Sequence, residues 1–179
     1  MQAHVKQEPG CLVPKHPSDT RWSARADATE ALFRGYTHFQ SALEEISADS
    51  SQNGDTRNDA NSLAEKMDTI EVAIMCELWN DILKRFDCCS KMLQNATIEL
   101  TPAIGLLKSL IEFLDERRET FDLYEQRAAE RVGNSTYRSD IRRVLKRKKR
   151  VDDGNTTDAT DMMTGKQKFK VNTFYVIIY

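Results

Sequence analysis

Two stretches carry the residue types from which a recognition chemistry is built. The first is Ser18-Asp-Thr-Arg-Trp-Ser-Ala-Arg25, a polar segment with a lone tryptophan just ahead of a helical pattern. An indole offers a flat face for stacking, and an adjacent arginine meets a phosphate or a guanine edge. Arg21 and Trp22 are therefore candidate nucleic-acid contacts. The same tryptophan suits a structural task, packing on the helix start as a hydrophobic staple. The second stretch is 142–150, Arg-Arg-Val-Leu-Lys-Arg-Lys-Lys-Arg, with seven cations in nine residues. Arg142, Arg143, Lys146, Arg147, Lys148, Lys149 and Arg150 would neutralise several phosphates, giving weak, non-specific DNA binding that falls steeply with salt. The run reads equally as a nuclear import signal or as a solvated linker.

Other chemistry is poorly provided for. A zinc site needs clustered ligands at set spacings, but Cys11, His4 and His16 sit in an irregular leader without a second cysteine pair, and His38 lies in a helical pattern. No Gly-rich phosphate loop or nucleophile-elbow motif is present. Glu44-Glu45 and Asp115-Glu116 fall where a solvated helix face puts carboxylates. The expectation is no catalytic residue, no metal, no cofactor and no small-molecule substrate.

Composition fits a helical chain. Of the 179 residues 40% are hydrophobic and 30% charged, with seven Gly and four Pro. So few turn formers disfavour a strand-and-turn architecture. A net charge of −2 gives no global nucleic-acid signature, so any such signal is local. No run reaches the roughly 18 apolar residues that span a bilayer, and residues 1–10 lack the apolar region of a secretory signal. Four cysteines without such a signal point to a reducing compartment. Three Asn-x-Thr triplets, at Asn95, Asn134 and Asn155, then read as chance matches to a glycosylation acceptor.

The elements that must position these residues follow from periodicity. Ala28, Leu32, Tyr36, Phe39, Leu43 and Ile46 recur at three- and four-residue steps and predict one helix from Ser23 that runs across Gly35. A polar break at 48–55 follows. Asp55 or Thr56 would cap a second helix, with the stripe Leu63, Met67, Ile70, Ile74, Leu78, Ile82, Phe86, Cys89 and Leu93 widened by Trp79 and Leu83. About nine turns is long for a globular helix, so a kink or a break is expected near Met67–Thr69. A third helix is expected to start with Thr101 as cap and Pro102 in the first turn, burying Ile104, Leu107, Ile111, Leu114 and Phe121, and to stop at Gly133-Asn134. Its pattern squeezes into heptads, but Arg118 falls on the seam and fewer than four repeats are present, so a bundle helix is the better reading. The terminal Phe174-Tyr-Val-Ile-Ile-Tyr179 has strand propensity.

The expected architecture is all-α: an antiparallel bundle of three to four long helices, with an irregular leader and a basic, loop-like segment before a short C-terminal element. The expected boundaries are 1–18 for the leader, 19–135 for the helical domain, 136–161 for the basic and polar linker, and 162–179 for the start of a helix or strand.

Asp19-Thr-Arg-Trp-Ser-Ala-Arg-Ala-Asp-Ala28 resembles the segment that opens the helical insertion domain of hAT-type transposases, most closely in the animal "zinc finger MYM-type protein 1-like" group. Similar segments continue in order: Phe39 to Ile46, Leu78 to Phe86, Leu106 to Leu110, the basic run, Asp152-Asp-Gly154, and Thr164 to Phe169. Together they span roughly residues 19 to 175. The resemblance implies an RNase H-like core whose three acidic residues flank the insertion on both sides, so none of the carboxylates here is assigned to it. It implies a helix around Thr173 to Tyr179, and at Arg21 and Trp22 a DNA-facing position that handles a flipped base. On this reading the chain is a non-catalytic, nuclear, transposase-derived fragment with weak DNA or partner binding. The alternative is a helical interaction module without nucleic-acid binding, forming homo- or hetero-oligomers through its helical faces.

Overall fold

The structure, a computed structural model, describes residues 22–141 and 163–178. Among these every regular element is helical. The elements are α1 (Trp22–Arg34), α2 (Tyr36–Ala48), α3 (Gly54–Met67), α4 (Ile70–Leu93), α5 (Leu100–Arg118), α6 (Phe121–Val132) and the short α7 (Arg138–Ile141). A last helical stretch follows: α8 (Gly165–Phe169), a π-helical turn (Lys170–Phe174) and α9 (Tyr175–Ile178).

Helix α4 is the spine. Its residues Ile70, Ala73, Ile74, Leu78 and Ile82 are buried, and it packs against α1, α6, α3 and α5. Helix α3 lies on α2, where the small Ala60 and Ala64 allow close approach. One core runs through Tyr36, Phe39 and Leu43 of α2, Ala60, Ala64 and Met67 of α3, the α4 stripe, Phe121, Tyr124 and Ala128 of α6, Tyr137, Phe174 and Ile178. The hydroxyl of Tyr36 donates to the carbonyl of Met67 at 2.6 Å, so this buried phenol satisfies the end of α3 as well as filling space.

Each helix predicted from periodicity is present but divided. The first is split at Gly35 into α1 and α2, at the residue of lowest helix propensity in that stretch. The second divides at Asp68 and Thr69, inside the interval where a break is expected. The third ends at Arg118, and Phe121 opens a separate helix. At this junction the Thr120 hydroxyl donates to the carbonyl of Arg117 at 2.9 Å, a local bond that competes with the helical ladder. Caps differ too. Asn53, not Asp55 or Thr56, caps α3, its side chain accepting from the N–H of both. Helix α5 begins at Leu100 with Glu99 as its cap, two residues before the predicted start. Pro102 still falls among the first residues, whose N–H groups have no helical partner. Gly133 ends α6 in the left-handed region at φ 66°, where a side chain would be strained. The Asn95 and Asn134 triplets form Asx turns, each carboxamide accepting from the N–H two residues on.

The C-terminal stretch is helical, and the strand propensity of its last residues gives way to capping and packing. Thr164 and Gln167 form a capping box. Phe174 is fully buried, its ring edge-on to Phe121 with centroids 4.9 Å apart. Lys166 donates to Asp122 at 2.8 Å and to Glu125 at 2.5 Å, fixing α8 to α6. The N–H of Gly165 donates to Asp140 at 2.7 Å.

Candidate interaction surface

Helix α5 is placed against expectation. It contributes no fully buried residue, and of its apolar side chains only Leu114 packs on the core. Leu100, Ile104, Leu107 and Ile111 are 75%, 44%, 48% and 60% exposed. The predicted burial of Ile104, Leu107 and Ile111 is therefore corrected: they face outward, whereas Phe121, assigned to the same stripe, is buried as the first residue of α6.

The cause is the seam between α4 and α5, which is built from the other face. Arg85 of α4 donates to the hydroxyl of Ser109 at 2.5 Å and lies 5.8 Å from the ring of Phe113. The guanidinium of Arg117, on the same helix as Phe113, lies 4.6 Å from that ring. At about 100° per residue, Ser109 and Leu100 are nine positions and half a turn apart. Pairing through Ser109 and Phe113 thus turns the Leu100–Ile104–Leu107–Ile111 stripe away from the body. The stripe is about 16 Å long on the helical rise. Beside it, where the end of α4 meets the start of α5, Met92, Asn95, Ile98, Pro102, Gly105 and Leu106 line an open, mostly apolar groove of about 440 Å³.

A contiguous exposed stripe of this kind marks a docking site far more often than scattered single apolar residues do. Lys108 and Asp115 flank it, both exposed, and neither forms an ion pair with another described residue.

Trp22 is the first residue of α1 and is 45% exposed. One part of its ring meets Phe86 of α4, with centroids 5.3 Å apart, and the Arg25 guanidinium lies 5.7 Å from it. That arrangement anchors α1 on α4, a distant helix in place of the helix start that a hydrophobic staple would cover, and leaves the rest of the indole in solvent. Arg21 and the basic residues Arg142, Arg143, Lys146, Arg147, Lys148, Lys149 and Arg150 lie outside the described residues, as do the leader and most of the linker.

The groups with displaced proton affinities are structural. Burial pushes the Cys76 thiol up to about 11. Burial, and then the hydrogen bond of its hydroxyl to Asp81 at 2.9 Å, push Tyr124 up to about 12. Tyr36 and Tyr137 are raised for the same first reason. Among the described residues no three His, Cys, Asp or Glu side chains converge as metal ligands do, and no helix is long and apolar enough to cross a membrane. No family model, curated protein or solved structure matches the chain.

The outward stripe escaped sequence reasoning because periodicity locates the apolar side of a helix without saying what covers it. One signal was available. Ser109 and Phe113 lie on a second face at helical spacing, with residue types that meet an arginine such as Arg85.

Proposed function

We propose that this chain is a helical interaction module that binds a partner helix through the outward apolar stripe of α5. The observation that carries it is the exposure of Leu100, Ile104, Leu107 and Ile111 in one line, on a helix held to the body by its opposite face. In this reading α1 to α4 and α6 are the framework, an antiparallel bundle in which α2 and α3 form a hairpin through the 49–53 turn, and α5 is the recognition element. The module has no catalytic role.

Its ancestry, in the same proposal, is the helical insertion of a hAT-type transposase, supported by the ordered series of similar segments between residues 19 and 175. A second role, salt-sensitive DNA contact in the nucleus, is favoured by the solvent-facing part of Trp22 beside Arg25 and by the basic run at 142–150.

One labelled chain tests both roles. Cys11 and Cys88 are replaced by Ser, Leu107→Cys carries an environment-sensitive fluorophore, and Cys76 and Cys89 stay buried and unlabelled. The reading predicts a blue shift as the chain is concentrated or as a synthetic amphipathic apolar helix is added. A probe that reports water throughout overturns it. Titrating duplex DNA into the same sample at low and at high salt, followed by anisotropy, is expected to give binding only at low salt. No binding at either salt removes the DNA role.

A further inference from the structure

We infer that the cleft between α4 and α5 binds a phosphate dianion, free or as a monoester, between Arg85 and Arg117. Asp81, Lys84, Arg85, Cys88, Phe113 and Arg117 line an open space of about 380 Å³. No residue of the outward stripe lines it, so this site stands independently of helix docking. Three cations share the cleft with one carboxylate, and that carboxylate already accepts the Tyr124 hydroxyl at 2.9 Å.

The two arginines are held in place without being neutralised. Arg85 donates from Nη2 to the Ser109 hydroxyl at 2.5 Å, an uncharged acceptor. It forms no ion pair with a described residue. Arg117 adjoins the Tyr124 hydroxyl. Its one ion pair among the described residues is with Glu116, 3.9 Å away and 72% exposed, where water weakens the attraction. The Phe113 ring carries both guanidiniums, at 5.8 and 4.6 Å, which positions them and offers no oxygen. The Nε atoms of Arg85 and Arg117 are both buried without an acceptor. Such donors are uncommon in folded proteins, because an enclosed N–H without an acceptor costs free energy. Two of them on adjoining arginines at one cleft mark where acceptors from outside the chain belong. Lys84 adds a third charge, only partly met by Glu30, which it shares with Arg34.

Charge and oxygen count select the ligand. An arginine fork takes two oxygens of a carboxylate or phosphate side by side. Two forks from different helices therefore call for more acceptors than a single carboxylate holds. A phosphate monoester brings three acceptor oxygens and a charge of about −1.5 to −2 at neutral pH. That matches the excess of cations over carboxylate in the lining.

The test uses the full chain with Cys11→Ser at low ionic strength. Cys88, exposed on the cleft wall, is then the reporter, because Cys76 and Cys89 are buried. Its alkylation by iodoacetamide, and the side-chain Nε–H resonances of Arg85 and Arg117, are followed as a ligand is added. The ligands are inorganic phosphate, phenyl phosphate and benzoate. Both phosphates are expected to shift the two resonances and slow alkylation at about millimolar concentration. Benzoate is expected to bind roughly tenfold more weakly. Equal affinity for the two phosphates makes the free ion a sufficient occupant, and tighter phenyl phosphate points to an ester. Either result upholds the site.

Arg85→Gln and Arg117→Gln, each checked for folding by circular dichroism, are expected to weaken protection roughly tenfold. Lys108→Gln, on α5 outside the cleft, is expected to leave it unchanged. Protection of Cys88 in the chain with both arginines intact decides the matter even where a variant unfolds. The inference is overturned if neither phosphate moves the resonances or slows alkylation, or if benzoate binds as well as they do. Folded arginine variants that protect as the parent does, or a Lys108→Gln chain that loses as much as they do, overturn it equally.

Discussion

Arg131 of α6 and Glu77 of α4 form a buried ion pair at the point where α1, α2, α4 and α6 converge. The guanidinium donates to one carboxylate oxygen of Glu77 from Nη2 at 2.5 Å and from Nε at 3.1 Å. Its Nη1 donates to the carbonyl of Phe33 at 2.9 Å, which is the end of α1 just ahead of the Gly35 break. The rings of Phe33 and Tyr36 lie 4.5 and 5.4 Å from it. A single side chain therefore neutralises a carboxylate that is only 5% exposed and also satisfies a helix terminus. Its planar fork makes both contacts, which a lysine cannot.

Removing Arg131 strands Glu77 in the interior. Arg131→Ala is expected to lose about 3–5 kcal/mol of unfolding free energy, the usual cost of breaking one side of a buried pair. Arg131→Met with Glu77→Leu is expected to recover much of it, because no charge is then left unpaired. Urea titration followed by circular dichroism measures both. A loss below about 1 kcal/mol for Arg131→Ala, the size expected of an exposed pair, would show that the contact is peripheral.

Alkaline pH should unfold this chain earlier than its acidic side chains alone would suggest. Cys76 rises from its ordinary 9.0 to about 11 and Tyr124 from 10.0 to about 12, both first because burial disfavours the charged form. The native state therefore keeps protons that the unfolded chain releases, so stability falls as pH rises through this window. It is fully present below about pH 9 and declines from there to about pH 12. Tyr36 and Tyr137, raised further in the same direction, add to the loss. Urea midpoints across this range, with tyrosinate absorbance read in parallel, check the sign. A midpoint that stays level to pH 12 contradicts the burial of these groups.

Gly165 is required for contact, not for backbone freedom. A Cβ at this position would lie 2.6 Å from the Cβ of Tyr137 and 2.6 Å from side-chain oxygens of Ser139 and Asp140. Gly165→Ala is expected to cost about 1–3 kcal/mol by overpacking and to loosen the 165–178 helix from α6. Hydrogen exchange at Phe174 and its neighbours reads this locally. Unchanged protection there would place α8 farther from α7 than described.

Much of the helical framework is legible in the sequence because its apolar periods are regular. Tyr36, Phe39 and Leu43 turn inward as the period demands, as do Ile70, Ile74, Leu78 and Ile82. The break at Asp68–Thr69 is anticipated from length alone, and the Gly133 stop from residue type. What escapes is whatever depends on a distant partner. Glu77 looks like any surface carboxylate until Arg131, 54 positions on, is brought to it. Leu63 sits on the apolar period of its helix yet is 48% exposed, because α3 meets α2 through Ala60 and Ala64. The capping box at Thr164 and Gln167 was visible as a Thr-x-x-Gln spacing, but the strand propensity of Tyr175 to Ile178 competed with it. The backbone is helical from Gly165 to Ile178, and from it Phe174 and Ile178 are buried. For the candidate site, Trp22 is found on a helix start with part of its ring covered by Phe86, a contact that no local pattern encodes.

The most direct test of the account is a comparison of one double variant with its parent in the ultracentrifuge. Leu107→Glu/Ile111→Glu alters two residues that are 48% and 60% exposed, so it should leave the unfolding free energy within about 0.5 kcal/mol of the parent. With a synthetic amphipathic apolar helix added, the parent is expected to sediment as the larger complex and the folded variant as the chain alone. A variant that still associates like its parent, or that unfolds by several kcal/mol, would contradict it: the stripe would then be either idle or part of the core.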